Sequence, residues 1–557
     1  MDNNEELLKQ LKSRFEQMDS DRNRFTGTWQ DMQKYVMPKE YNFSNLDAVP
    51  DVPKRYSSSA CAYLQTLVSG LAGYSISPNI SWFKLSLENQ QMLSLYGVKD
   101  WLESCETVML AEFNRSNLYQ QAVPLIRNAA GYGHGVLLVD EDKDGRKLRF
   151  TNIRVNELYL DVDESGTVDT VFRRYIMTVR NAVRFFGLDT LDENIQAAYK
   201  EVSRWNEKIE ILFCVYPREK YRTDMPDSKN FPYAAVYIDN THNKIISESG
   251  YQEFPYAVFE WEQDTGLAYS ASPAINALPT IKELEIEKKT SLQICQTSAN
   301  PPMLISEGLN NVSLLPSALN RMSSKDDAIS PIKTGENYPV TLQILQQTDQ
   351  SIRDWFFVDF FLMLEKSEGT KTATEVMEMQ GEKAATLSSI IVSLNETLKQ
   401  IISRSFNLIA FAGRLPQPPQ SLMGQRAQMK IDYTGPLAIA QKKYHTSGGI
   451  AAALGLVQPI VASFPQAADF IDSDELIKRA MEGQGMPQAV IREDDDVKDI
   501  RKARAQAQAQ AAQQAQMQQL SQNLMQNANK MNEPVKQGSM LQDLNSQLAG
   551  SMGNGNS

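Results

Sequence analysis

The sequence has very few of the residues that carry most enzymatic and metal chemistry. It contains only three histidines and four cysteines among 557 residues. The motifs HExxH, CxxC and GxSxG are absent, as is a phosphate-binding loop ending in GK followed by Ser or Thr. The sequence therefore contains none of the common catalytic, metal-binding or nucleotide-binding motifs. The cysteines are far apart, which predicts free thiols in a protein made in a reducing compartment: Cys61, Cys105, Cys214 and Cys295.

Long apolar segments are also missing. The longest apolar run, Trp355 to Leu364, is interrupted by Asp359 and is too short to span a bilayer. The first residues, MDNNEELLKQLKSRFEQ, are polar and charged, and they lack the apolar core and small-residue cleavage site of a secretory signal. These features predict a protein without a membrane segment.

The chain has no excess of positive charge. Its 56 lysines and arginines are outnumbered by 68 acidic residues, giving a net charge of −12. A protein that binds nucleic acid tightly neutralises phosphates with clustered basic residues, so the balance argues against that class. It does not argue against a protein that lets nucleic acid slide past.

Two glycine-containing segments resemble functional motifs but fit turns better. In GYGHG at 131–135 a helix precedes and a strand follows, which is the reverse of a dinucleotide-binding turn, so we predict a tight helix-to-strand connection. DVDESGTVDTVF at 161–172 begins like a calcium loop, but its twelfth position is Phe172 where a glutamate is needed. A turn between two strands is the favoured interpretation. His134 is a weak candidate for catalysis.

What the sequence does contain is one unusually long helical pattern. From Thr370 to Gly413 apolar residues recur at three- and four-residue steps without an intervening proline. Thr372 and Glu375 have the spacing of a capping box, and Gly413 stands where a left-handed helix end is expected. A single helix of this length would extend over roughly 60 Å. Such a length is typical of large assemblies, although a core helix of a large enzyme is an equal alternative.

The rest of the chain alternates between helical and strand-forming regions. Residues 1–130 read as mostly helical. Between Gly135 and Trp261 the hydrophobic period changes to two, with a short helix at Val179–Phe186, which predicts an antiparallel sheet region. The predicted strands are Val136–Asp140, Lys147–Ile153, Glu157–Asp161, Val168–Met177, Lys208–Tyr216, Ala234–Ile238, Lys244–Glu248 and Tyr256–Trp261. The fold class is therefore α+β, mainly helical.

Two further helices flank an irregular insert at 299–338. Ser272-Pro273 predicts the start of the first, which Pro279 bends or restarts. The second, at about 340–364, is apolar around much of its circumference, which suits a helix packed between adjacent subunits. Its adjacent aromatic residues are the candidates for that packing: Trp355, Phe356, Phe357, Phe360 and Phe361.

Several segments, in collinear order over about residues 10–505, together resemble the portal proteins, or head-to-tail connectors, of short-tailed bacteriophages. The most specific are SWFKL at 81–85 and KTATEV at 371–376, which enters the long helix. The other matching segments include RNRFTGTWQDMQKYVMP at 22–38, NRSNLYQQAVPLIRNAAGYGHGVLLVDED at 114–142, FTNIRVNELYLDVDESGTVDTVFRRYIMT at 150–178, FPYAVFEWEQDTGLAYSASPAINALPTIKELE at 254–285 and GRLPQPP at 413–419.

The resemblance implies a portal fold and a division of the chain. It comprises a wing at 1–270, a first stem helix at 271–298, a clip at 299–338, a second stem helix at 339–364, a tunnel loop at 365–371, a long wing helix at 372–413, a helical crown at 414–505, and a Gln- and Ala-rich tail at 506–557 that either extends the crown as a barrel or is disordered. The tail's segment 505–529 has a weak helical stripe of Met517, Leu520 and Leu524.

The resemblance also implies the function and the partners. Portal subunits form a homo-oligomeric ring, normally of twelve copies, at one vertex of the capsid in the virion. Double-stranded DNA enters and leaves through its channel. The implied partners are the major capsid protein, the large terminase subunit and later the tail adaptor and tail proteins, with assembly in the host bacterial cytoplasm. No cofactor and no enzymatic activity are implied.

Within this scheme, Lys366, Gly369 and Lys371 are the candidate DNA-contacting residues of the tunnel loop. The glycine would give backbone freedom, and the lysines would meet phosphates transiently or remain ordinary solvated side chains. A soluble multidomain hydrolase or nucleic-acid-processing enzyme is the alternative function. Particle size distinguishes them, because a ring is several hundred kDa and such an enzyme is normally a monomer to tetramer.

Overall fold

The computed structural model describes residues 2–38, 42–43, 45–48, 54–93, 95–142, 145–222, 227–262, 266–301, 303–305, 329–331, 338–365, 387–422, 428–437, 474, 477 and 494–530. The chain divides into two compact units, Met1–Pro465 and Gln466–Ser557. Among the described residues, no helix is long and apolar enough to cross a membrane.

The first unit opens with helices and one short strand. These are α1 (Asp2–Tyr35), α2 (Ser59–Ser75), β1 (Phe83–Leu87), α3 (Gln90–Leu93), α4 (Val98–Arg115) and α5 (Leu118–Tyr132). Their buried faces form one large core, in which Trp29, Trp82 and Phe113 are almost inaccessible to solvent. The first half of α1 packs separately, with Leu11 and Met18 against the larger sheet.

Eight antiparallel strands follow in two sheets, as the alternating pattern predicts. They are β2 (His134–Glu141), β3 (Leu148–Ile153), β4 (Leu158–Val162), β5 (Val168–Thr178), β6 (Lys208–Pro217), β7 (Tyr233–Asp239), β8 (Lys244–Tyr251) and β9 (Tyr256–Glu260), with α6 (Val179–Phe186) and α7 (Glu193–Lys200) between β5 and β6. The sheet orders are β3-β2-β9 and β4-β5-β6-β7-β8. The predicted α+β class, its eight strands and its short helix are confirmed; α7 is an addition.

Both glycine-containing turns are also confirmed. Gly133 ends α5 in the left-handed conformation, with φ +97°, and β2 starts at the next residue. The 161–172 segment is a turn between β4 and β5, in which the Asp163 carboxylate accepts bonds from the Ser165 and Thr167 backbone N–H groups at 2.9 Å. These bonds lower the pKa of Asp163, with the Ser165 hydroxyl contributing most. The carboxylate thus stabilises the turn itself.

The two segments predicted to be the stem form two broken helices. The first consists of α8 (Pro273–Asn276) and α9 (Leu278–Ala299), and Ser272 caps it by accepting the Ile275 N–H at 3.0 Å. The restart at Pro279 is as expected. A ribbon of β10 (Met303–Ile305) and β11 (Ile329–Pro331) follows.

The second stem segment was expected to be a single helix at 339–364, and this is wrong. It consists of α10 (Tyr338–Trp355) and α11 (Val358–Glu365). Phe357 separates them because its backbone is left-handed, with φ +53°, a conformation that cannot continue a right-handed helix.

The long helix is shorter than expected. Helix α12 spans Ser388–Phe411, and Leu387 lies in a turn, so one unbroken helix over 372–413 is not present. The proposed cap at Thr372 and Glu375 lies outside the described residues. Gly413 ends the helix with φ +68°, as predicted. After α12, β12 (Met429–Tyr433) returns to pair antiparallel with β1, a strand in a region predicted to be mostly helical.

The second unit contains one long helix, α13 (Asp494–Lys530), which at 1.5 Å per residue is about 55 Å long. Its described side chains are almost all exposed. Arg501 binds Asp474 through two bonds of 2.6 and 2.7 Å. Part of the predicted tail, 506–530, is therefore helical, and 531–557 lies outside the described residues. The division into wing, stem, clip, tunnel loop and crown stays a prediction.

Candidate functional site

The candidate site is the stem pair, defined as α8, α9, α10 and α11 with the side chains that attach them to α2. Because the β10–β11 ribbon joins α9 to α10, the two helices run antiparallel, and they pack along each other. The Thr348 hydroxyl donates to the Glu287 carboxylate across the pair at 3.3 Å. This bond fixes their relative register, so Leu292 lies at about the level of Leu342 and Ile344.

A buried carboxylate attaches the stem pair to the segment before α2. Glu285 is only 7% exposed, and its two oxygens accept the backbone N–H groups of Tyr56 and Ser57 at 2.8 and 2.9 Å. Lys288, one turn further along α9, donates to the hydroxyls of Ser57 and Ser59. A carboxylate that accepts two backbone N–H groups is held firmly, because charge-assisted bonds are stronger than neutral ones.

A second attachment joins α10 to the side of α2. The Tyr63 hydroxyl donates to Asp349 at 2.5 Å, and the Arg353 guanidinium lies 5.7 Å from the centre of the Tyr63 ring. Burial, followed by the bond to Asp349, raises the pKa of Tyr63. Both attachments thus lie at the N-terminal end of α2 or just before it.

Three of the five candidate aromatics are buried by their own chain. Phe356, Phe360 and Phe361 are at most 5% exposed. Phe361 lies directly on Gly70 of α2, where no side chain intervenes. A side chain that its own chain already covers cannot also pack against a neighbouring subunit. These three residues were expected to contact a neighbouring subunit, and the structure instead buries them within the chain. Trp355 remains 44% exposed, and Phe357 is partly buried at the break between α10 and α11.

The exposed surface of the stem pair is unusually apolar. Ile286 and Leu292 on α9, and Leu342 and Ile344 on α10, are exposed side chains on helices that could otherwise carry charge there. The adjoining sequence supports this pattern, because TSLQICQTSAN at 290–300 and YPVTLQILQQT at 338–348 contain no charged residue. Several exposed apolar side chains on one helix pair are typical of surfaces that another protein covers.

A cleft of about 1040 Å³ lies beside the break between α10 and α11. Trp355 and Phe357 line it on one side, and Val392 and Glu396 of α12 line it on another. Glu260 also lines it, and burial raises the pKa of Glu260 to about 7. Among the described residues no group of three or more His, Cys, Asp and Glu side chains could hold a metal ion.

The candidate tunnel residues Lys366, Gly369 and Lys371 lie outside the described residues, as does most of the predicted clip. His134 is described, and it is fully buried between Trp29 and Tyr269. Burial lowers the pKa of His134 to about 3, so the ring is neutral. It is a core residue.

Sequence reasoning missed Glu285 and Gly70. A signal for Glu285 was available, because a glutamate one helical turn after Ile281 and next to Leu284 lies on the apolar face of α9. A carboxylate at such a position needs buried donors. Gly70 carried no signal of its own, since glycine also occurs at exposed positions of the same helix, as at Gly73.

The chain is similar to known proteins over most of its length. Residues 8–491 match the family described as bacteriophage head to tail connecting protein. The portal protein of Salmonella phage epsilon15 is 32% identical over 515 residues, covering 90% of this chain and 91% of that protein. A probable portal protein of Bordetella phage BPP-1 is 26% identical over 516 residues, covering 89% and 91%. The chain therefore belongs to the bacteriophage head-to-tail connecting protein family.

Proposed function

We propose that the chain is the subunit of a closed portal ring, normally of twelve copies, through which double-stranded DNA passes at one vertex of the capsid. The family assignment supports the connector role. The observation that carries the ring is the set of exposed apolar side chains on different sides of the stem pair: Ile286, Leu292, Leu342 and Ile344. In a ring, each stem pair has a neighbour on both sides, so this surface is covered without a further partner.

The finer assignments follow from the same scheme. The clip at 299–338 docks the large terminase subunit during packaging and the tail adaptor afterwards, and the wing contacts the major capsid protein. Lys366, Gly369 and Lys371 contact DNA at the narrowest part of the channel. Trp355, which is 44% exposed, remains available for a neighbouring subunit. The energy for packaging comes from the separate motor, so the pure ring does not turn over ATP.

The net charge of −12 supports the conduit role. A ring of such subunits repels the DNA phosphates, so the duplex is not held by phosphate neutralisation as it passes. The hydrolase alternative gains no support from the family or its named members.

A substitution in the stem pair tests the ring. Leu292→Glu places a charge on the exposed apolar surface, and we expect it to leave the isolated chain folded but to abolish particles of several hundred kDa in mass photometry. Gln293→Glu is the matched control, because it adds the same charge at the neighbouring exposed position. Annular particles in negative stain from the wild type and the control, but not from Leu292→Glu, are the expected result.

Two outcomes contradict the proposal. One is a wild-type protein that remains monomeric under all assembly conditions. The other is a Leu292→Glu protein that forms normal rings, which removes the stem pair from the subunit contact. Unchanged circular dichroism and melting temperature of the Leu292→Glu monomer exclude misfolding as the cause of lost assembly.

A further inference from the structure

The joint between α10 and α11 has an unusual backbone. Phe357 has φ +53°, one of only two non-glycine residues with positive φ among the described residues. This region is sparsely populated for residues with a Cβ atom, and neither glycine nor proline is present to explain the break. A strained residue persists only where the surroundings hold it.

The surroundings include two contacts that require the bend. Asp359 of α11 forms an ion pair with Arg353 of α10 and accepts a bond from Gln350 at 3.2 Å. In a continuous helix, residues nine apart lie about 13 Å apart along the axis and on opposite sides. The Gln350–Asp359 bond is therefore incompatible with a straight helix. Residues six apart are likewise on different faces, so the Arg353–Asp359 pair also reports the bend.

The bent state also has space beside it. Phe357 lines the cleft of about 1040 Å³, and Val392 and Ser393 of α12 also line it. The ring of Phe357 is only partly buried, so it can leave its present place without first displacing a packed core. Arg353 is held from the other side by Tyr63, whose ring it faces.

We propose that Asp359 is a positioning residue that holds the α10–α11 joint bent, against a second state in which Tyr338–Glu365 is one continuous helix. This inference rests on the proposed function only in its consequence. In a portal ring the joint sets the direction in which α11 leaves the stem pair, so the joint governs where the C-terminal end of α11 lies relative to the channel.

The backbone claim is tested by glycine and alanine at position 357. Both substitutions remove the phenyl group of Phe357. The two variants then differ mainly in the backbone conformation that the new residue prefers. At a left-handed residue glycine is favoured, whereas in a helix alanine is favoured. We expect Phe357→Gly to melt at a higher temperature than Phe357→Ala. Gln347→Gly and Gln347→Ala, at an exposed position within α10, are the controls and should show the opposite order. The alanine protein melting higher at 357 overturns the proposal.

The positioning role is tested by hydrogen exchange in the assembled full-length protein. Asp359→Asn should increase exchange of the amides of 354–362 at least threefold, while the control Asp354→Asn, at an exposed residue that bonds Gln350 within α10, should not. Equal exchange in the two variants overturns the proposal. In the charge-exchanged protein, Arg353→Asp with Asp359→Arg, the amides of 354–362 should exchange as slowly as in the wild type. If they do not, the ion pair between positions 353 and 359 is not what holds the joint.

Ring formation is measured on the same samples. If Asp359→Asn forms normal rings and the amide exchange of 354–362 is unchanged, the positioning role of Asp359 is contradicted and the proposed function is not. If the wild-type protein forms no rings, the proposed function is contradicted. The comparison of Phe357→Gly with Phe357→Ala can be made on a monomer, so it still tests whether the joint is bent.

Discussion

The contact between Gly70 and Phe361 gives the sharpest test of how the stem pair is attached. An ideal Cβ atom at Gly70 would lie 2.2 Å from Cδ1 of Phe361. Apolar carbon atoms pack at about 3.5–4.0 Å, so the ring would have to move by more than about 1 Å. Phe361 is 4% exposed, and Tyr74 stacks beside it with ring centres 6.4 Å apart, which limits that movement.

The magnitude follows from two opposing effects in Gly70→Ala. Replacing glycine within a helix stabilises by about 1 kcal/mol, while overpacking a buried contact costs about 1–3 kcal/mol. Gly73→Ala, one turn later in α2, is the matched control, because no atom lies within 4 Å of its Cβ position. The first effect is the same in both variants. Their difference in unfolding free energy therefore isolates the overpacking cost, and Gly70→Ala should be the less stable by about 1–3 kcal/mol.

Thermal unfolding of the full chain, followed by circular dichroism and by limited proteolysis at the stem pair, measures this order. In the background of Phe361→Ala the clash is absent, so Gly70→Ala should then behave like Gly73→Ala. The reasoning is refuted if Gly70→Ala melts together with Gly73→Ala in the wild-type background. In that case Phe361 does not rest on α2, and the stem pair is attached in another way.

Three further predictions concern titration and the channel. Because the pKa of Glu260 is raised to about 7, its stabilising contribution is present at pH 4.5 and is lost as pH rises through 7; the melting temperature of Glu260→Gln relative to wild type should therefore rise over that range. The pKa of His134 is lowered to about 3, so its contribution is present above pH 6.5 and declines towards pH 3; His134→Phe should reduce acid sensitivity, and an unchanged acid midpoint would contradict the burial. Lys366→Glu with Lys371→Glu should leave ring assembly intact but alter packaged DNA content, and infectious particles with normal content would exclude the DNA contact.

The sheet region could be predicted from the sequence because its signals are local. The strands of 134–260 are short runs of apolar and β-branched residues, and turn residues such as Asp144-Gly145 separate neighbours. The β1–β12 pair was missed because its partners, Phe83–Leu87 and Met429–Tyr433, are far apart along the chain. Neither is long enough to identify its partner by pattern alone, so tertiary contacts decide the pairing.

The stem could be predicted in outline only. Pro279 indicated the restart of the first predicted stem segment, because proline in a helix interior removes a backbone hydrogen bond and destabilises the helix. The break at Phe357 had no such signal, because aromatic residues are tolerated in helices and the strain comes from tertiary contacts of Arg353 and Asp359. Likewise, an apolar circumference shows that a helix is covered on several sides, but not whether α2 or a neighbouring subunit covers it.

The three-stranded sheet β3-β2-β9 has both edges covered by side chains. On β3, Asn117 exchanges two hydrogen bonds with the backbone of Phe150, at 2.7 and 2.9 Å, as a paired strand residue would. On β9, Gln400 accepts the Val258 N–H at 3.0 Å and Thr397 donates to the Val258 carbonyl at 3.0 Å.

An open strand edge would invite another chain to add a strand, and repeated addition produces fibres with no defined end. At the β3 and β9 edges, side chains occupy backbone groups that such growth would use. Subunits of a particle with a fixed copy number must associate through surfaces that close on themselves, so blocking this sheet against strand addition removes one route to open-ended assembly.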